Sequence, residues 1–147
     1  MPNTKIFEGH IKDVARHTFS FDGKYVYKGR WTNNPNDIVY TYDGKHLYKG
    51  RYSNNQNDIV CTFANNHIYE GHIVDVSKIA YTISNSKLFK GRYSNNQNDI
   101  VYSFDKGSLY SGYRTNNQND IVYTFDGNTP IEIIFAMAVK PSNNFNW

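Results

Sequence analysis

The sequence holds one cysteine, Cys61, so no disulfide can form within the chain and no metal site can be built on paired thiolates. No apolar run approaches the ~20 residues of a membrane-spanning helix, and Met1 to Glu8 lack the apolar stretch that directs secretion. A soluble cytoplasmic protein is the expectation. Net charge is also small, because 16 Lys and Arg against 13 Asp and Glu leave +3, with no signal of a dedicated nucleic-acid protein. A Gly-rich phosphate loop, a nucleophile elbow and a paired-carboxylate motif are all missing. With no nucleophile, base and oxyanion site to combine, a non-enzymatic protein without a cofactor is expected.

What the chain has is aromatic side chains, 13 Tyr and 9 Phe, whose flat, stiff rings pack well on a pleated sheet. Its 147 residues suit one domain over 1–147, since two cores would each be thinly stocked. The low mean hydropathy of −0.70 then reflects polar loops around a single core.

Repetition organises the rest. Gly9, Gly29, Gly50, Gly71, Gly91 and Gly112 head six units of 20 or 21 residues that run from 9 to 132. Gly50 to Ile59 recurs unchanged at Gly91 to Ile100. Within a unit, a run such as Ile38-Val39-Tyr40-Thr41-Tyr42 meets Asp43-Gly44 and then Lys45-His46-Leu47-Tyr48-Lys49. Apolar, β-branched and aromatic runs on both sides of Asp-Gly predict a hairpin, in which both turn residues take positive φ. Asp22-Gly23 and Asp126-Gly127 repeat the turn, while Asn65-Asn66, Asn85-Ser86 and Asp105-Lys106-Gly107 vary it. Ser20, Thr41, Thr62, Thr82, Ser103 and Thr124 form one column beside the bulky Phe21, Tyr42, Phe63, Ile83, Phe104 and Phe125. Adjacent strand residues face opposite ways, so the two columns belong to different faces. Which of them faces inward stays open at this point. Units one and four begin Gly9-His10-Ile11-Lys12-Asp13-Val14 and Gly71-His72-Ile73-Val74-Asp75-Val76, whereas the other four carry Asn-rich loops. The resulting ABBABB order predicts a pseudo-two-fold of three hairpins each, relating 9–70 to 71–132.

After Asp126-Gly127 the pattern changes to Thr129-Pro130-Ile131-Glu132-Ile133-Ile134-Phe135-Ala136-Met137-Ala138-Val139-Lys140-Pro141. Thr129 and Glu132 have capping-box spacing, Pro130 suits a first helical position and Pro141 suits a stop. A helix over about 130–139 is predicted, with 140–147 as a tail. Apolar nearly all round, it must be surrounded by protein. About twelve strands at ~4.8 Å spacing and ~40° tilt close to a diameter of about 24 Å, wider than side chains alone can fill. A helix about 10–12 Å across fits that space. The expectation is an all-β fold: a closed antiparallel barrel of about six β-hairpins with a short apolar C-terminal helix as central plug.

Short hairpin petals around such a helix, over roughly Lys5 to Val139, resemble the β-flower proteins, which are similar to the tubby-like barrel. Tubby-like domains are associated with phosphoinositide membranes, so the resemblance implies a membrane-surface partner without mapping residues for it. Tyr27-Lys28-Gly29-Arg30-Trp31 and Tyr48-Lys49-Gly50-Arg51-Tyr52 also resemble membrane occupation and recognition nexus repeats.

Three constellations bear on function. Lys28 and Arg30, Lys49 and Arg51, Lys90 and Arg92, joined by Arg114, would line one rim and grip phosphate through the planar guanidinium fork. Alternatively, Asp37, Asp58, Asp99 and Asp120 neutralise them in a salt-bridge ladder. Asn54, Asn55, Asn95, Asn96, Asn116 and Asn117 beside Trp31, Tyr52, Tyr93 and Tyr113 have carbohydrate-binding chemistry, against a plainer role in turns. His10 with Asp13 and His72 with Asp75 fall short of the three protein ligands zinc needs, and a local hydrogen bond is expected in place of a metal. The expected function is therefore a binding module for an anionic surface such as phospholipid headgroups. A carbohydrate-binding module and a structural or assembly repeat protein are the alternatives.

Overall fold

The structure, a computed structural model, describes residues 3–142. Its strands are β1 (Thr4–Glu8), β2 (His17–Phe21), β3 (Tyr25–Lys28), β4 (Ile38–Tyr42), β5 (His46–Lys49), β6 (Ile59–Ala64), β7 (His67–Glu70), β8 (Ile79–Ser84), β9 (Lys87–Lys90), β10 (Ile100–Asp105), β11 (Ser108–Ser111) and β12 (Ile121–Asp126). Each pairs antiparallel with its neighbours in sequence, and β1 pairs with β12 (Ile6 opposite Phe125, Phe7 opposite Thr124) to close the barrel. The N-terminal strand thus completes the sixth hairpin.

The wall curves at regular intervals. At each junction between hairpins the register slips, as between Leu47 and Tyr48 or Leu109 and Tyr110, leaving an extra residue such as Val60 or Val122. Such bulges bend a strand and increase its twist, which is how a sheet of short strands closes on itself.

The helix α1 (Ile131–Ser142) occupies the interior, with Ile133 to Val139 all buried. It packs against Ile6, Val26, Leu47, Ile68, Leu88 and Leu109 and against the bulky column from Phe21 to Phe125. The bulky face is therefore the inner one. Burial of its side chains and the bonds from the Ile133 and Ile134 N–H groups to the Pro130 carbonyl (3.0 and 3.1 Å) accompany the helical turn. Thr129 donates to the Thr4 hydroxyl (2.8 Å) and Glu132 accepts from Tyr42, so the expected capping box does not form. The helix also runs through Pro141 to Ser142, beyond the stop expected at 139, and the rest of the expected tail lies outside the described residues.

The small hydroxyls are buried too, but under a second, outer layer. Ser20, Thr41, Thr62, Thr82, Ser103 and Thr124 donate to the carbonyls of Gly29, Gly50, Gly71, Gly91, Gly112 and Gly9 at 2.7–2.9 Å. These bonds fold each long loop back along the outside of the wall. Asn3 donating to Thr32 (2.9 Å) and Lys87 reaching the Tyr113 carbonyl (3.4 Å) mark the same return.

The turns differ from expectation. Asn65-Asn66, Asn85-Ser86 and Lys106-Gly107 have positive φ at both positions, the type I′ pattern. In Asp22-Gly23 and Asp43-Gly44 only the glycine does, and each aspartate accepts from the backbone N–H groups two and three residues on (2.6–2.9 Å). Aspartate anchors those turns through its carboxylate and leaves the left-handed conformation to glycine.

Candidate functional site

In a closed barrel of sequential antiparallel strands, every second connection lies at the same end. The hairpin turns and the start of α1 share one end, and the six long loops leave from the other. Each long loop contains one 3-10 turn just before its next strand: Val14–Arg16, Pro35–Asp37, Gln56–Asp58, Val76–Lys78, Gln97–Asp99 and Gln118–Asp120.

The basic column divides into two sets. Lys28, Lys49 and Lys90 register opposite Phe19, Tyr40 and Tyr81, residues of the inner face, which puts these lysines at the mouth from which the loops leave. The arginines lie past the glycines, on the returning loops.

Nor does the aspartate ladder exist. The one ion pair among the described residues is His46 with Asp43, at 3.0 Å. The arginines lie instead over exposed rings: Arg30 over Trp31 (4.8 Å), Arg51 over Tyr52 and Arg92 over Tyr93 (5.1 Å each), and Arg114 over Tyr113 (5.3 Å). In the last unit the order is reversed to Tyr113-Arg114, yet the pair still forms, with Arg114 Nε donating to the tyrosine oxygen at 3.2 Å. Trp31, Tyr52 and Tyr93 are each about 60% exposed. A stacked guanidinium keeps its N–H edge free for an anion, and the ring fixes its plane.

The Asn-rich loops split by position. Asn34, Asn55, Asn96 and Asn117 each accept a backbone N–H from two residues on, at 2.9 Å, which caps the 3-10 turn. Their amide oxygens are therefore spent on the loop itself. Asn54, Asn95 and Asn116, one residue earlier, stay exposed beside the stacked pairs.

The two loops of the other type carry exposed apolar side chains, Ile11 and Val14 in one, Ile73, Val74 and Val76 in the other. They precede β2 and β8, six strands apart in a ring of twelve, and so lie on opposite sides, as the ABBABB order requires. Their histidines do not bond the neighbouring aspartates as expected. Asp13 accepts from the Arg16 N–H (3.1 Å), and Asp75 from the Ser77 hydroxyl, which holds its carboxyl below the ordinary range. No group of three or more His, Cys, Asp or Glu among the described residues is placed to hold a metal. Cys61 is fully buried on the inner face, and burial pushes its thiol well up, away from thiolate chemistry.

One feature was not anticipated from the residues. A cavity of about 200 Å³ opens at the turn end, lined by Phe63, Ala64, Asn66, His67, Ile83, Ile131 and Glu132. Its signal lay in the columns, where Ile83 alone interrupts the aromatics of its face. No helix among the described residues is long and apolar enough to cross a membrane.

Comparison with known proteins agrees with this architecture. A family model described as "6-fold beta flower protein" matches residues 1–93 and, again, 36–133. No curated protein and no solved structure matches.

Proposed function

The chain belongs to the 6-fold beta flower family, and from that repeat architecture we propose a non-enzymatic binding module that docks on anionic surfaces, phospholipid headgroups foremost. One observation carries the reading: four arginines are stacked on exposed aromatic rings and take no carboxylate partner among the described residues. Loops on neighbouring hairpins leave the wall two strands apart, roughly 10 Å, too far for one phosphate to bridge. Each pair is thus a separate weak site, and repetition favours a surface that presents many anions, where avidity multiplies weak contacts. The exposed Ile and Val of the two remaining loops suit the apolar part of such a surface.

Sedimentation with vesicles tests this. The protein should pellet with anionic but not neutral liposomes, and rising salt should release it, since exposed charges decouple beyond a Debye length of ~8 Å at physiological ionic strength. Replacing Arg51 and Arg92 by Ala should weaken pelleting several-fold at nearly unchanged melting temperature, as exposed contacts of this kind are worth about 0.5–1 kcal/mol each. Wild-type protein that ignores anionic vesicles at every salt concentration removes the reading. Binding to a glycan array, lost on replacing Asn54 and Asn95, would replace it with carbohydrate recognition.

A further inference from the structure

We infer that the cavity at the turn end is a site for a small ligand with a primary ammonium head and a short apolar body. The inference is independent of the anionic-surface reading, because it concerns the opposite end of the barrel.

Two departures from the repeat create the cavity. In the column Phe21, Tyr42, Phe63, Ile83, Phe104, Phe125, neighbouring rings meet edge-on or tilted at 5.9–6.3 Å where the aromatics are consecutive. Ile83 breaks that succession and is too short to reach across. The second departure is at the turn. In the preceding hairpin, His46 Nδ1 is 3.0 Å from the carboxylate of Asp43. One repeat on, His67 stands where His46 did, but Ala64 stands in the place of Asp43. His67 Nδ1 is consequently buried with no hydrogen-bond partner, and it is the one buried side-chain nitrogen or oxygen so placed among the described residues.

A buried polar atom without a partner is costly, and His67 belongs to the lining, so a ligand donor that reaches Nδ1 as the ring turns recovers that cost. The lining shows which ligand this is. Glu132, in the first turn of α1, brings a carboxylate that already accepts from Tyr42, and Asn66 brings an amide oxygen. With its proton on Nε2, His67 offers Nδ1 as an acceptor. The carboxylate can only accept and Asn66 can turn its oxygen inward, so a head that donates several times fits, and the carboxylate selects a cation. Phe63, Ile83, Ile131 and Ala64 form the apolar remainder. At about 30 Å³ per water-sized group, the volume of about 200 Å³ takes roughly seven such groups, the scale of a short alkylamine.

The test is an NMR titration of the full chain with n-butylammonium, n-butanol and butanoate. Butylammonium should give saturable shifts confined to Phe63, His67, Ile83 and Ile131, while butanoate gives none. Ile83→Phe, which restores the aromatic, should abolish binding without lowering the melting temperature. Glu132→Gln should weaken it about tenfold, the loss of one charge-assisted contact. If Ile83→Phe does not fold, Glu132→Gln still decides. No saturable shift by about 10 mM, enough to reveal even ~1 mM affinity, overturns the site. Butanol or butanoate binding as tightly, or butylammonium binding unchanged in Glu132→Gln or in folded Ile83→Phe, overturns the assignment.

Discussion

On the outer face of the wall the same hydrogen bond is made six times, hydroxyl to glycine carbonyl, with a spread of only 2.7–2.9 Å. On the inner face no two hairpins present the same side chains: Tyr40, Tyr42 and Leu47 in one are Cys61, Phe63 and Ile68 in the next and Tyr81, Ile83 and Leu88 in the one after. The difference follows from what each face meets. Outside, a hairpin meets its own returning loop, so one solution serves every unit. Inside, all six meet a single helix that has no six-fold symmetry, and close packing tolerates no common solution. The irregular inner positions are therefore where the barrel is fitted to its plug, and where a gap such as the cavity beside Ile83 can arise.

The largest effect should come from breaking the inner contact. Phe135 is fully buried in α1. Phe135→Ala should cost about 3–5 kcal/mol in chemical denaturation, the range for emptying a buried aromatic site. A chain ending at Thr129 loses every buried helical side chain and should show no cooperative melt. If it remains monomeric and melts cooperatively, the helix does not hold the wall together.

Closure should be nearly as sensitive. Gly127 has φ of +133°, and a Cβ there would stand 2.8 Å from the Thr4 hydroxyl oxygen and 2.9 Å from the Thr4 Cα. Gly127→Ala should therefore cost at least the roughly 1–3 kcal/mol of a strained backbone. Because the strain acts where the first and last strands meet, hydrogen exchange should rise in β1 and β12 before the rest of the wall. Uniform exchange would show that closure is not the weak seam.

The outer bond can be deleted one unit at a time. Thr62→Val keeps the shape, removes the donor and leaves the Gly71 carbonyl unpaired, a loss of about 1–3 kcal/mol. Thr41→Val should cost the same within error, since its bond to Gly50 has the same length, 2.8 Å. Inner substitutions of one type should differ from unit to unit instead. Equal scatter on both faces would erase the distinction between them.

This division also explains what could be read from the sequence. Regularity was legible: the glycine frame, the alternation of Thr41 and Tyr42, and the apolar run after Thr129 all repeat or end in patterns with a local physical cause. Arrangements across units were not. The choice between aspartate and an aromatic ring for Arg51 depends on how the loop returns along the wall, and that path is set by the Thr41–Gly50 bond, nine residues apart in sequence. Turn type departs from the expectation for a related reason. Asp22 and Asn65 both suit turns, but the aspartate carboxylate captures two backbone N–H groups and moves the positive φ to Gly23, whereas both asparagines of Asn65-Asn66 adopt it. The cavity's marks, Ala64 for Asp43 and Ile83 among aromatics, are visible in an alignment of the repeats once the inner column is known.

The smallest effect expected is a pH dependence that belongs to one unit of the outer face. His17 stacks on Phe7 with ring centroids 5.1 Å apart, and its Nε2 lies 2.9 Å from the Ser20 hydroxyl. Burial, then the nearby Lys5, hold its pKa below the ordinary 6.5, outweighing the raising effect of a backbone hydrogen bond at Phe19. The folded state therefore binds the proton less readily than the unfolded chain, so the unfolded chain carries more protons between the lowered value and 6.5. Stability from this group is complete above 6.5 and is lost as the pH falls through that window, then stays level below it. Asp43 behaves oppositely in charge but not in direction of loss. Burial would raise its carboxyl, but the backbone and ring N–H groups of His46 and the Lys45 N–H outweigh this and lower it from 3.8, so its stabilisation is lost only as the pH falls below that value. The two losses should thus appear as separate steps in melting temperature, the first carrying the contribution of His17. His17→Gln should flatten the first step and leave the second. A variant whose melting curve tracks the wild type between about pH 7 and pH 5 would show that the outer layer is indifferent to the charge on His17.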